Sequence, residues 1–199
     1  MSGAGVSLLI AHEIVSPVYY TRRLQGIACP GGSSGPTRGI GWDDGMQTRS
    51  RIAAAWAAHP QLERILPASG QTGRARCRAY RDANRDVRTP YALAESVFVD
   101  WALPDYHAQT ARAFRNGFDA LPQHAQDSLV MTVYNRGSGM NGARRAEMRT
   151  LRDVCVPAGD TACMAAQYRQ MVRLWRGTDI EAGMRKRYED TARLAEGGL

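Results

Sequence analysis

The sequence predicts a mostly helical α+β domain with one small β element near residues 18–45. Apolar residues recur at helical spacing through most of the chain after residue 46. A glycine-rich stretch at 31–45 interrupts the helical signals early, and prolines stand at the ends of successive helical runs. With 199 residues, 44% hydrophobic and 23% charged, the chain has the material for a real core, which excludes a disordered class.

Each element has its own signal. Val6, Leu9, Ile10 and Ile14 fall near helical spacing, and Pro17 stops that first helix just beyond Glu13. The stretch from Thr37 to Asp43 can run extended, so that Thr37, Gly39, Gly41 and Asp43 share one face. Arg38, Ile40, Trp42 and Asp44 then share the other. Two glycines between a hydroxyl and a carboxylate would leave an open floor for a bulky polar ligand. Asp-Asp-Gly is equally a hairpin turn signal.

Helices are expected over 47–59, ended by Pro60; over 61–66 as a turn or two; and over 70–84, Arg-rich and amphipathic. A stripe with Leu93, Val97 and Trp101 predicts a helix over 91–103, and Pro104 opens another to 121. Pro122 begins the next, with Leu129, Val130, Val133 and Tyr134 in pattern before Asn135-Arg-Gly137. Asp160 and Asp179 are N-caps for the last two helices, ending near 175 and 194. No internal repeat is present.

The formal net charge is +7, and all but one of the 26 basic residues are arginine. Such a surface favours polyanions, namely nucleic acid, anionic lipid or the acidic polymers of a bacterial wall, although solvated helix faces in an arginine-rich chain would look the same. Charge alone selects no partner. No apolar run reaches the roughly 20 residues needed to span a bilayer, so no membrane insertion is expected. Residues 1–11 lack a basic region, so no cleavable secretory signal is expected.

The four cysteines are Cys29, Cys77, Cys155 and Cys163. Cys155 and Cys163 flank a turn-rich loop suited to a local disulfide; four reduced, buried thiols are the alternative. No spacing is Cys-x-x-Cys. His12-Glu13 begins like a zinc-protease helix, but position 16 is Ser, so the second ligand is missing. The Gly/Ser patch lacks the Gly-Lys-Ser/Thr end of a phosphate loop, and no Gly-x-Ser-x-Gly elbow occurs. No metal and no cofactor are expected.

The order helix–Glu13, a stretch with Tyr19 and Tyr20, then Gly35-Pro-Thr37-Arg-Gly39-Ile-Gly41 resembles the phage-type lysozymes of glycoside hydrolase family 24. So do the run from Asp127 to Gly137, Leu174-Trp-Arg-Gly177, and the Arg-rich segment from Gly183 to Glu189. No carboxylate lies between Glu13 and Thr37, and the first after Thr37 are Asp43 and Asp44. That layout is similar to the pesticin-type and interbacterial toxin muramidases. The resemblance implies one lysozyme-like domain over 1–199, with about 1–46 forming the catalytic helix and β-hairpin region and about 47–199 a helical lobe.

It also implies a peptidoglycan muramidase, cleaving the β-1,4 bond between N-acetylmuramic acid and N-acetylglucosamine. Glu13 would be the acid, Asp43 the base and Thr37 the residue that places water, with Tyr20, Gly39, Gly41 and Asn135 as substrate contacts. Strand parity favours Asp43 over Asp44 as the second carboxylate. Asn135 reads equally as a contact or as a helix-ending residue, and one of Tyr19 and Tyr20 is expected in the core.

The partner would be the wall glycan, not nucleic acid, met by a monomer acting in the periplasm or wall of a target bacterium. Delivery would fall to a secretion system, a phage holin or a longer parent chain, and an interbacterial toxin would need an immunity protein. The competing readings are a lytic transglycosylase using Glu13 alone, a chitinase-like specificity, and a non-catalytic basic module that binds wall or nucleic acid.

Overall fold

The computed structural model describes residues 1–198. Helix α1 (Gly3–Ile14) is followed at once by α2 (Pro17–Arg23), which Ser16 caps by accepting from the Tyr19 amide at 3.1 Å. The strands β1 (Thr37–Arg38) and β2 (Trp42–Asp43) pair antiparallel. Helices α3 (Arg49–Ala55), α4 (Leu62–Ile65), α5 (Arg74–Ala83) and α6 (Tyr91–Val97) come next. The remainder is α7 (Leu103–Ala113), α8 (Gln123–Arg136), α9 (Ala146–Thr150), α10 (Val156–Ala158), α11 (Thr161–Met171) and α12 (Glu181–Ala195). The expected class, mostly helical with a small antiparallel sheet, is what the chain forms. No helix among the described residues is long and apolar enough to cross a membrane.

Two compact units divide the chain. One holds residues 10–104; the other holds 1–9 and 105–199. Residues 47–104 thus go with the hairpin, whereas a division near residue 46 was expected. Both boundaries fall inside helices, α1 and α7.

The unit of residues 10–104 is built on Ile14, Tyr20, Ile40, Ile52, Trp56, Ile65, Val87 and Phe98, all buried. In the other unit α8 is buried from Asp127 to Val133. Its polar residues are satisfied: Thr132 Oγ1 donates to Ser128 O at 2.8 Å, and Ser128 Oγ lies 2.9 Å from the Tyr168 hydroxyl. Asp127 accepts from the Ser2 amide at 3.0 Å and from Gln123 Nε2 at 2.8 Å.

Helix runs through two prolines read otherwise from the sequence, Pro104 as the opening of a new helix and Pro157 as part of a turn-rich loop. The segments Phe98–Ala102 and Leu151–Cys155 are π-helical, and Pro104 and Pro157 stand two residues beyond their ends. Proline has no amide to donate and clashes with the carbonyl four residues back; a widened turn there lets the helix continue. Helical structure therefore runs unbroken over 91–113. The helix expected to reach 121 ends at Ala113, and a separate 3₁₀ turn, Phe118–Ala120, follows.

Helix likewise enters the expected cysteine loop and stops at Gly159, whose φ of +64° closes it. Asp160 then caps α11 by accepting from the Cys163 amide at 2.8 Å.

Disulfides join Cys155 to Cys163 and Cys29 to Cys77, with Cα–Cα distances of 5.4 and 5.9 Å. The second spans 48 residues and fastens the segment leading into β1 to α5. On the chain-entropy account it stabilises the fold by about 4 kcal/mol, against about 2.5 for the short loop. Replacing both Cys29 and Cys77 by Ser should therefore lower the unfolding free energy in urea by about 4 kcal/mol, more than the same change at Cys155 and Cys163.

Candidate active site

The hairpin corrects one expectation and gives it a different basis. Residues 37–43 are not one extended strand: the chain reverses at Gly39-Ile40-Gly41, with φ of +59° at Gly39 and +71° at Gly41, a region glycine enters freely. The register sets Thr37 opposite Asp43 and Arg38 opposite Trp42. Cross-strand partners share a face, so Thr37 and Asp43 project together, while Arg38 and Trp42 are buried on the other side.

The Thr37 amide and carbonyl both bond to Ala28, at 2.9 and 2.8 Å. The Thr37–Asp43 pair is therefore of the non-hydrogen-bonded kind, in which opposing side chains come closest. The glycines form a turn rather than a floor. A Cβ on Gly39 would lie 3.1 Å from the Trp56 ring and 3.3 Å from the Ala94 methyl.

Gly35 ties the two side chains together. Its amide donates to both Asp43 carboxylate oxygens, at 3.1 and 3.2 Å, and its carbonyl accepts from Thr37 Oγ1 at 3.2 Å. No other residue type fits there: a Cβ on Gly35 would fall 2.6 Å from the Gly45 Cα and 2.7 Å from the Gln71 carbonyl. A Cβ on Gly45 would in turn press on Asp43 Oδ1 at 3.2 Å. In the sequence Gly35 stood only as one glycine of the Gly35–Gly41 motif, with no sign of this close approach.

Asp44 has a different environment. It is fully buried, pairs with Arg38 Nε, and accepts from Trp56 Nε1 at 3.1 Å. Arg38 also reaches the Tyr80 hydroxyl at 3.4 Å, which itself donates to Arg64 O at 2.7 Å. Burial pushes the Asp44 carboxyl up to about 6 against the pull of Arg38. His59 lies in the same buried group, edge-on to Trp56. Its Nδ1 accepts from the Gln61 amide at 3.0 Å, so Nε2 carries the proton and donates to Thr89 Oγ1 at 3.3 Å. Burial first, and Arg38 second, bring His59 down to about 4.

Glu13 is half-buried in the last turn of α1. That helix ends at Val15, whose φ is +64°; among the described residues it is the one non-glycine with positive φ. A left-handed β-branched residue is strained by roughly 1–2 kcal/mol. Tyr20 is removed from the contacts the sequence suggested: it has no exposed surface, donates to Thr89 O at 3.1 Å and meets Tyr91 edge-on. Tyr19 is the exposed tyrosine of the pair.

Asn135 belongs to the other unit, exposed in the last turn of α8, and its Oδ1 accepts from the Tyr188 hydroxyl at 3.1 Å. The left-handed residue ending that helix is Gly137, so Asn135 is not the helix-ending residue. Glu13, Thr37 and Asp43 lie within the unit of residues 10–104. Among the described residues no three of His, Cys, Asp and Glu group as metal ligands do.

The two titrations under the hairpin oppose each other. The Asp44 value is raised above 3.8, so its contribution is present at low pH and is lost as pH rises through about 6. The His59 value is depressed below 6.5, so its contribution is present above that pH and is lost as pH falls towards 4. Between these limits the two contributions therefore offset each other. In His59→Gln the unfolding midpoint should rise steadily as pH falls from 6.5 to 4; a flat profile in urea titrations would refute the pairing of effects.

No family model matches the sequence, and no curated protein matches it.

Proposed function

We propose that the chain is a lysozyme-like muramidase that hydrolyses the β-1,4 bond of peptidoglycan glycan, with Glu13 as general acid, Asp43 as general base and Thr37 placing the water. The observation that carries this reading is the hairpin register, which sets a hydroxyl and a carboxylate side by side on one face, both bonded to the backbone of one residue, Gly35. Asp43 is half-buried, and each of its oxygens keeps lone-pair capacity beyond the Gly35 contact. Asp44 is committed to Arg38 and Trp56 and is not offered as a base.

In the reaction, Glu13 protonates the leaving glycosidic oxygen as the bond to the anomeric carbon lengthens. A water held by Thr37 loses a proton to Asp43 and adds to the opposite face of the sugar, giving inversion. Two disulfides suit an oxidising place of action such as the periplasm or wall. A wall-lysing effector or endolysin is the role consistent with this chemistry.

Muropeptide mass spectrometry on digested sacculi tests the proposal. Glu13→Gln and Asp43→Asn should each lower hydrolysis by at least about 100-fold while circular dichroism is preserved. Asp44→Ala should act on stability instead, by about 3–5 kcal/mol, because it strands a buried guanidinium. Products lacking the added water would indicate a transglycosylase that uses Glu13 alone. Full lysis by Glu13→Gln would end the proposal.

A further inference from the structure

In the unit comprising residues 1–9 and 105–199, several arginines are paired with acids. Arg169 pairs with Glu189 and Glu196, Arg173 with Glu147, Arg185 with Glu181 and Arg152 with Asp153. Arg136, Arg144 and Arg145 meet no carboxylate among the described residues. Together with Asn135, Asn141 and Trp175 they line a pocket of about 370 Å³.

Holding three guanidiniums side by side without an acid is unfavourable, and the local structure is arranged to do it. The Arg136 Nη2 donates to the Arg144 carbonyl and the Arg145 Nη2 to the Arg136 carbonyl, so backbone oxygens fix the two side chains. The Arg136 guanidinium also lies over the Trp175 ring, 5.5 Å from its centroid, and Trp175 stacks on Tyr188. Arg149 donates to the Met140 and Gly142 carbonyls at 2.9 and 2.8 Å, which fixes the loop bearing Asn141.

Two donors remain unused: Arg136 Nε and Arg145 Nη1 are buried without a partner. A buried guanidinium N–H left unmatched is costly unless a ligand acceptor completes it. Burial and the two neighbouring arginines also make the Arg145 charge easier to lose than an ordinary guanidinium's, which is the repulsion an incoming anion would relieve.

We propose that this pocket binds the carboxylates of an acidic peptide, the guanidiniums taking the carboxylate oxygens, Asn135 and Asn141 the peptide amides, and Trp175 the aliphatic part of the chain. Planar guanidiniums match carboxylates in paired hydrogen bonds. With Asn135 Oδ1 occupied by Tyr188, its amide N–H₂ faces outward as a donor for a peptide carbonyl. Arg185, salt-bridged to Glu181, takes no part. Identifying the peptide with the acidic stem borne by wall glycan rests on the muramidase reading; the binding of a carboxylate peptide does not.

Calorimetry with the free tripeptide L-alanyl-γ-D-glutamyl-diaminopimelate, titrated into the full chain, tests this. Binding should be measurable in the native chain and weaken at least about tenfold in Arg145→Gln, consistent with loss of a charge-assisted contact. Arg144→Gln, at an exposed side chain that makes no structural bond, should weaken it severalfold with the fold intact. Inorganic phosphate at equal concentration should fail to compete. Absence of peptide binding, indifference to both substitutions, or equal competition by phosphate would each overturn the inference. Wall hydrolysis without peptide binding would sink this inference alone, and peptide binding without hydrolysis would sink only the catalytic reading.

Discussion

A buried ion pair, Arg38 with Asp44, underlies the hairpin, and the geometry above it follows from that pair. Strands of two residues each supply too few ladder bonds to persist alone. What fixes them is that Arg38 is 2% exposed and Asp44 not at all, both enclosed by Trp56, Tyr80 and their neighbours. Removing either partner would leave an uncompensated charge in the core, so the inward direction of Arg38 is strongly specified. Side chains alternate along a strand, and a slip of one residue would exchange the two faces. The inward Arg38 therefore obliges Thr37 to face outward, and the buried Trp42 obliges Asp43 to do the same. The outer face is organised by what lies beneath it.

The same economy of placement appears around Gly35. One residue serves both Thr37 and Asp43 because its amide and carbonyl are turned to different partners, and because the Gly45 backbone comes within contact of its Cα. Backbones approach so closely only where both residues lack a Cβ. The Cys29–Cys77 bridge holds the segment entering this arrangement. Val15 adds a strained left-handed residue two positions beyond Glu13, where glycine would be the relaxed choice. Strain retained at the end of the helix that carries the candidate acid fits a local structure shaped by something other than stability.

Periodicity exposed the helices well because their apolar stripes survive any tertiary arrangement. It placed the 3.6-residue pattern of α8 and the cap at Asp160 close to where they fall, whereas Pro17, read as the stop of the first helix, also begins α2. Strand parity put Thr37 and Asp43 on one face, and they share one for a different reason: the chain reverses through the three residues 39–41 and the two meet as cross-strand partners. What failed depended on long-range context. Tyr19 and Tyr20 differ only in the side of α2 they occupy, and only packing against Tyr91 and Thr89 decides which is buried. Pro104 read as the start of a new helix and Pro157 as part of a loop, yet a π turn before each lets helix continue through it. The Cys29–Cys77 bridge joins positions with no local signal between them.

Net charge is the least specific quantity in the sequence and becomes informative only when each arginine is followed to its partner. An excess of +7 spread over solvated helix faces would say nothing about function. In the C-terminal helices, however, several arginines are neutralised by an acid on the same or a neighbouring helix, whereas Arg136, Arg144 and Arg145 sit together around Trp175. Random placement would scatter them, since like charges repel and solvated arginines gain nothing by crowding. Beneath the hairpin the opposite solution prevails: Arg38 is buried and has its carboxylate within the chain. One guanidinium carries its own counter-ion and organises structure; three others lack one, and the acid that completes them has to come from a ligand.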